Sequence, residues 1–225
     1  MRLFSEPSPV VPFELKDDVD LGALPQRLRG LFHDANYHPP SPPVVALELI
    51  ALSRKGDLNI NEATELFQRD PLLMARVLKC ARAPLYGSAK VPTIRDAIVR
   101  LGERRLKGIV MEAALDLRLF KSERYKSWME SVRRHSVAVG HIAAHIAGTV
   151  DVDTDQAYVA GLMHDIGFAA ALGAVDQAKD LAVVDPKILG RALERVHTDV
   201  GAVVVDAWEL NTEVEAVVSG HHHGG

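Results

Sequence analysis

Hydrophobic residues recur at helical spacing through most of residues 21–222 of the 225-residue chain. Apolar positions three and four residues apart form one stripe on a helix, which is typical of amphipathic helices. A strand-like alternation occurs only in short pieces such as residues 10–15. We therefore expect an all-α fold. The pattern predicts helices near residues 21–36, 43–54, 60–69, 71–82, 94–101, 103–120, 122–149, 154–172, 186–195, 197–209 and 212–222.

Several predicted helix starts carry residues that satisfy free backbone amides. Asp70 and Asp185 each precede a proline, so an N-cap oxygen is followed by a residue that has no N–H to satisfy in the first turn. Thr93 and Thr212 each stand three residues before an acidic residue, as in a capping box. These signals support the helical interpretation at four separate places.

The composition is that of an ordinary globular protein, with 48% hydrophobic and 25% charged residues. We expect a tail at residues 1–20, an N-terminal helical subdomain at 21–121 and a second helical subdomain at 122–225. The boundary lies where short predicted helices give way to a long one. No period of 20–50 residues recurs, which argues against a solenoid.

The net charge of −4 conceals an uneven distribution. Residues 1–75 carry 7 basic and 11 acidic side chains (−4), residues 76–134 carry 15 and 6 (+9), and residues 135–225 carry 4 and 13 (−9). The basic middle could attract phosphates, but its charges alternate with apolar residues and few aromatics are available for base stacking. A solvated helix face is favoured over a nucleic-acid groove, and complementary charges could also join the two halves.

The single cysteine and the N-terminus bear on the cellular compartment. Cys80 lies in an apolar-periodic stretch and is predicted to be a small buried hydrophobe, with a reactive thiol as the alternative. The N-terminus has no apolar core of a signal peptide, and the apolar run at residues 166–175 is shorter than the roughly 18 residues that span a bilayer. We expect a cytoplasmic protein without a membrane partner.

The ten histidines are concentrated towards the C-terminal end. A His-Asp pair alone is uninformative, because residues 33–34 supply a second one. His164 and Asp165, however, lie in an almost wholly apolar stretch, where an ionised Asp165 requires a cation or strong donors. Gly161 and Gly167 stand three residues on either side of His164 and permit close approach of another helix or a ligand.

Four positions bearing these histidines are predicted to face inward. His135 shares a helical stripe with Trp128, Val132, Val139, Ile142 and Ile146. His197 has Gly201 on its face, and His221 follows an apolar stripe and has His222 beside it. His141 and His145, four residues apart on another face, are expected to be exposed. For each histidine alone, a hydrogen-bonded core imidazole is the alternative. As a set, imidazoles and a carboxylate suit Fe, Mn, Zn, Ni or Co, and the residue types do not choose among these metals.

The order of several motifs is specific in combination. They are PSPPVVALELIAL (40–52), FQRDPLLMARVLKCARAPLYG (67–87), VPTIRDAIVRLGERRLKGIV (91–110), RHSVAVGHIAAHIA (134–147), AYVAGLMHDIGFAAAL (157–172), ERVHTDVGAVVVDAW (194–208) and AVVSGHHH (216–223). In this order, over nearly all of residues 25–223, the chain resembles an HDOD domain. HDOD domains are bacterial signalling modules related to the HD metal-dependent phosphohydrolases.

The resemblance implies an N-terminal helical bundle packed on an HD-like C-terminal half. It also implies a regulatory role in signal transduction through protein partners, because HDOD modules generally lack demonstrated catalysis. The catalytic relatives include cyclic-dinucleotide phosphodiesterases. The resemblance therefore implies an alternative function, metal-dependent phosphohydrolysis, with a nucleotide or cyclic dinucleotide as the alternative ligand. The metal ligands of those relatives match His135, His164, Asp165, His197, His221 and His222.

Two departures from the catalytic pattern favour a non-catalytic module. The relatives usually read His-Asp-x-Gly-Lys with a phosphate-binding lysine, and this chain has Phe168 at that place. The catalytic pattern also includes an aspartate well downstream of the histidine pair, and the cyclic-dinucleotide phosphodiesterases carry a GYP motif. The sequence to Gly225 contains neither. We therefore expect a signalling module without hydrolytic activity, with five of these ligand residues around one pocket: His135, His164, Asp165, His197 and His221. A nucleotide- or nucleic-acid-binding regulator that uses the basic middle is a third alternative.

Overall fold

The computed structural model describes residues 21–34, 37–42, 44–53, 58–86, 90–120, 122–178, 181 and 184–222. The described residues contain helices, turns and loops but no β-strand, which confirms the all-α prediction. The strand-like residues 10–15 and the predicted tail at 1–20 lie outside the described residues. The helices are α1 (Leu24–Phe32), α2 (Val44–Ser53), α3 (Ile60–Gln68), α4 (Pro71–Ala81), α5 (Ile94–Arg118), α6 (Lys126–Ala147), α7 (Thr154–Met163), α8 (Ile166–Gln177), α9 (Pro186–Ala207) and α10 (Thr212–Gly220), with a 3-10 turn at Pro84–Tyr86.

Local sequence explains where several helices begin. The side chains of Asp70 and Asp185 accept hydrogen bonds from first-turn amides of α4 and α9. Thr93 and Asp96 form a reciprocal capping box at the start of α5. At α10 the cap is Asn211, one residue before the position that the sequence suggested. These bonds satisfy amides that have no partner within the helix itself.

Two predicted boundaries are wrong. The helix predicted at 154–172 is two helices, because the backbone of Asp165 leaves the helical region between α7 and α8. A run that is apolar on all sides carries no periodicity that would reveal such a break. Conversely, the helices predicted at 186–195 and 197–209 are the single helix α9. The break predicted at residue 102 is confirmed as a kink inside α5, where Gly102 has φ 68° and ψ 162°.

One continuous apolar core extends from α1 to α10. The principal helix contacts are α6 with α7, α8 with α9, α4 with α5 and α10 with α9. Helix α1 also packs against α9, and Arg29 forms an ion pair of 2.6 Å with Asp199 across this contact. Complementary charge likewise joins Lys107 of α5 to Asp155 of α7. The subdomain boundary near residue 121 stays a prediction.

Two glycine contacts bring the histidine-bearing helices together. A Cβ on Gly161 would lie 2.9 Å from the carbonyl oxygen of Val139, so α7 lies close against α6. A Cβ on Gly167 would lie 1.8 Å from the carbonyl oxygen of His197, so α8 approaches α9 backbone to backbone. Such distances leave no room for any other side chain. The predicted close approach around His164 is therefore confirmed, and the approaching elements are helices.

The predicted inward stripe of α6 is confirmed only at its N-terminal end, where Val132 is buried and Trp128 packs against the core. Ile142 and Ile146 are 58% and 57% exposed, and His135 is exposed as well. The buried residues of α6 instead include the small residues Ser136 and Gly140, and a Cβ on Gly140 would lie 3.1 Å from the carbonyl oxygen of Tyr158 in α7. Towards the C-terminal end of α6, hydrophobicity alone selected the wrong face, because close packing there depends on residue size.

Other side chains separate into confirmed and corrected predictions. His141 and His145 are exposed, as predicted. Cys80 is only partly buried and lines a cavity, so its assignment as a core residue is wrong.

Within the described part of the chain, the stretch Thr154–Gln177 is long and apolar enough to cross a membrane. However, 83% of an 18-residue window within this stretch is buried inside the fold, as expected for residues of a protein core.

Candidate metal centre

Five elements bring the predicted ligands to one place. His135 comes from α6, and His164 and Asp165 come from the break between α7 and α8. His197 comes from α9, and the adjacent His221 and His222 follow the last residue of α10. All six residues that the sequence singled out lie in one cluster. His135 reaches this cluster from an exposed position at its edge.

Asp165 lies at the centre of the cluster and presents one oxygen to each side. Its Oδ2 lies 3.1 Å from Nε2 of His164 and 3.5 Å from Nε2 of His135. Its Oδ1 lies 3.2 Å from Nε2 of His221 and 3.5 Å from Nε2 of His197. The carboxylate thus joins two groups of imidazoles.

The donor atoms form two overlapping groups that share Asp165. One group contains His135 and His164, and the other contains His197, His221 and His222. Within each group the atoms lie within 4.8 Å of one another. Ligands around one transition-metal ion have bonds near 2 Å, so a pair of them is separated by at most about 4 Å. Small side-chain movements therefore suffice for either group to surround an ion.

Backbone carbonyls orient three of the imidazoles. Nδ1 of His164 lies 2.8 Å from the carbonyl oxygen of Gly161, and Nδ1 of His197 lies 2.8 Å from that of Glu194. Nδ1 of His221 similarly faces the end of α10. A carbonyl oxygen only accepts, so each Nδ1 carries the proton. In the neutral ring this leaves the Nε2 lone pair directed at the cluster, as metal ligation requires.

These carbonyl partners were not identified from the sequence. Each contacted carbonyl lies three or four residues before its histidine, on the preceding turn of the same helix. The feature that could have indicated these hydrogen bonds is the position of His164 and His221, which are the C-cap residues of α7 and α10. A side chain there can bond to carbonyls that lack helical partners.

Burial and mutual charge perturb the protonation of the cluster. Burial alone would raise the pKa of Asp165, but the hydrogen bond that a protonated His164 donates and the positive charge of protonated imidazoles nearby outweigh it and lower the pKa. Burial lowers the pKa of His197 to about 4 and also lowers that of His221. Burial opposes the charged form of His164 too, yet the bond to Asp165 raises its pKa overall. An ionised carboxylate beside neutral imidazoles is the state that a cation binds.

The family of this chain is shown by a match between its sequence and the model of a known domain family. A model of the HDOD domain matches residues 40–224. The chain belongs to the HDOD domain family. The identification confirms the resemblance that the motifs indicated.

Solved structures of similar proteins share the HDOD architecture. An HDOD domain protein of unknown function from Geobacter sulfurreducens is 26% identical, with a TM-score of 0.60 over 90% of this chain and 71% of that one. A provisionally named metal-dependent phosphohydrolase from Shewanella amazonensis SB2B is 24% identical, with a TM-score of 0.65 over 89% of this chain and 75% of that one. At 24% identity, the comparison with the Shewanella protein shows only that the two chains share a fold.

The curated relatives are longer proteins. An uncharacterised protein of Treponema pallidum (strain Nichols) is 25% identical over 195 residues, which is 82% of this HDOD chain and 37% of the relative. Ribonuclease Y of Dehalococcoides mccartyi is 30% identical over 96 residues, which is 43% of this chain and 15% of that enzyme. This chain therefore spans well under half the length of either relative.

Phe168 distinguishes this HDOD domain from the catalytic pattern. Its ring stacks on His197, with ring centroids 4.2 Å apart and planes inclined by 19°. The HD enzymes that the chain resembles usually have a lysine at this place in the motif. Here an apolar ring covers one face of a candidate ligand instead of presenting an ammonium group to a phosphate.

Proposed function

We infer that this HDOD domain is a metal-binding signalling module that regulates protein partners without hydrolysing a substrate. It would act in the bacterial cytoplasm. The observation that carries the proposal is the combination of a gathered ligand cluster with the Phe168 ring stacked on His197. The proposed ligands are His135, His164, Asp165, His197, His221 and His222.

The donor set fits a divalent transition metal. Imidazole nitrogens and a carboxylate suit Fe, Mn, Zn, Ni or Co, and they do not select one of these. When bound, such an ion supplies positive charge and Lewis acidity. The residues of this chain contribute the orientation: Asp165 faces both groups of imidazoles, and the carbonyls of Gly161 and Glu194 hold His164 and His197 in place. An ion bound there would join α6, α9 and α10 to the break between α7 and α8.

Phe168 favours regulation over hydrolysis. Phosphoryl transfer requires cationic or hydrogen-bonding groups that stabilise negative charge as it develops on phosphate oxygens. A phenyl ring offers neither charge nor donor. The stacked ring also covers one face of His197. A metal at this site would accordingly stabilise a conformation that a partner protein recognises.

Metal binding is tested by metal analysis and thermal unfolding of the chelated protein after adding each of the five metals. An ion that binds only the folded state stabilises it by about 2.7 kcal/mol at 100 times Kd. For a chain of this size we expect the melting temperature to rise by roughly 5–10 °C. Asp165→Ala should abolish the rise, whereas His145→Ala, an exposed histidine outside the cluster, should retain it. Unchanged melting curves with all five metals would contradict metal binding.

The second candidate function is metal-dependent phosphohydrolysis. It is favoured by the presence of the whole ligand set and by the local similarity to ribonuclease Y. The assay is a screen of nucleoside phosphates, cyclic dinucleotides and short RNA with the metal-loaded protein. We expect no turnover above that of a His164→Ala, Asp165→Ala double variant. Turnover that the double variant lacks would replace the signalling proposal with the enzymatic one.

A further inference from the structure

A cavity with both polar and apolar walls lies outside the metal cluster. Its volume is about 890 Å³, which is within the range of small-molecule sites. It is lined by residues of α4, the 3-10 turn, α5, α6 and α7, and none of the six cluster residues lines it. On α6 the cavity is lined by Val137, which is two residues from His135, and by His141, Ala144 and His145.

Glu112 provides the main polar group of this cavity. Its Oε1 accepts a hydrogen bond of 2.8 Å from the hydroxyl of Tyr158 and lies 3.5 Å from Nε2 of His141. The side chain is 28% exposed, so the carboxylate is accessible from the cavity and partly shielded from bulk water. No residue in the described part of the chain donates a hydrogen bond to Oε2. The geometry leaves that oxygen available to an N–H donor.

The charges that surround Glu112 leave the interior negative. Lys107 is 8% exposed and is paired with both Glu103 and Asp155, so its single charge is shared by two carboxylates. Burial first and then the charge of Glu112 raise the pKa of the Tyr158 hydroxyl, which keeps it a donor. The other cation on the wall, Arg105, is exposed and lies over a tyrosine ring. The lining thus carries three carboxylates against two cations, and a ligand that enters the cavity would meet a net negative charge.

The remaining walls are aromatic and aliphatic. Tyr158 lines the cavity with its ring as well as its hydroxyl. Tyr86 also lines the cavity, and the guanidinium carbon of Arg105 lies 5.9 Å from the centre of the Tyr86 ring. Val137 and Ala144 of α6 are among the aliphatic side chains. Aromatic faces attract organic cations, and aliphatic walls bind the body of a ligand more strongly than they bind a hydrated metal ion.

We propose that this cavity binds a small organic cation, an amidinium or ammonium group on a planar or apolar body, which donates hydrogen bonds to Glu112 and packs against Tyr158. The proposal is independent of the metal cluster because the two sites share no side chain. The ligand-binding role would therefore persist in chelated protein.

The test uses benzamidine as the probe, with neutral benzamide and anionic benzoate as matched controls. Binding is measured by isothermal titration calorimetry or ligand-detected NMR. We expect benzamidine to bind with a millimolar or lower Kd and the two controls to bind at least tenfold more weakly. The affinity should be the same with and without chelator.

Variants locate the site. Glu112→Gln keeps the shape of the side chain and should weaken benzamidine at least tenfold, whereas Glu130→Gln on the exposed face of α6 should leave its Kd unchanged. Ala144→Trp fills the cavity and should also abolish binding, so the test does not depend on one variant. Absence of benzamidine binding, equal binding of benzamide, or binding that survives both cavity variants would overturn the proposal.

Discussion

The substitution Gly167→Ala tests how the metal cluster is assembled. The added Cβ would lie 1.8 Å from the carbonyl oxygen of His197 and 2.6 Å from the amide nitrogen of Gly201. Both neighbours are backbone atoms, so no side-chain rotation relieves the contact. Ordinary contact begins near 3.4 Å, so α8 and α9 would have to separate by about 1.6 Å, the difference between 3.4 and 1.8 Å.

The expected magnitude follows from two opposing effects. Alanine favours helix over glycine by up to about 1 kcal/mol. Overpacking of this kind typically costs about 1–3 kcal/mol, and the separation also removes packing between α8 and α9. We expect a net loss of about 2 kcal/mol in the free energy of unfolding. The same movement lengthens the 3.5 Å distance between Asp165 and His197, so metal affinity should fall.

Gly173→Ala is the matched control, because it is the same substitution in the same helix. A Cβ at Gly173 meets no atom within 4 Å, so only the helix preference acts and stability should rise by about 0.5–1 kcal/mol. Urea unfolding of the two variants and the wild type at neutral pH measures the contrast, and metal titration follows the cluster. Equal stability of the two variants would refute the inference that direct backbone contact positions His197.

Three further predictions concern other parts of the fold. Lys107→Met should lower stability by about 2 kcal/mol in urea unfolding, because the carboxylates of Glu103 and Asp155 lose their shared buried cation; an unchanged midpoint would contradict this. Gly102→Ala should cost about 1–3 kcal/mol in the same assay, because φ 68° with ψ 162° is strained for any other residue. Tyr37→Phe should raise stability by about 1 kcal/mol, because the hydroxyl is buried with no hydrogen-bond partner among the described residues. Burial raises the pKa of Tyr37 from 10.0 to about 12, so the unfolded chain loses this proton first and wild-type stability should decline as pH rises between these values. The phenylalanine variant should lack that component of the decline in a pH series of urea midpoints.

The helical architecture was predictable from the sequence because its signals are local. Asp70 and Asp185 cap helices within their own first turns, and Gly102 breaks helical geometry through its own backbone. The six cluster residues were also identifiable, through their match to the ligand pattern of a known family. Each of these inferences used residues that lie close together in the chain or in a fixed motif.

The tertiary structure decided how those elements meet. In the C-terminal half of α6 the apolar stripe placed Ile142 and Ile146 on the wrong face, because the small residue Gly140 lies in close contact with α7. The break at Asp165 was concealed in a run that is apolar on all sides. Glu112 and Tyr158 meet across 46 residues of sequence, and no local pattern marks such a pair. Close approach of backbones and bonds between distant side chains depend on three-dimensional packing, which periodicity along one chain does not specify.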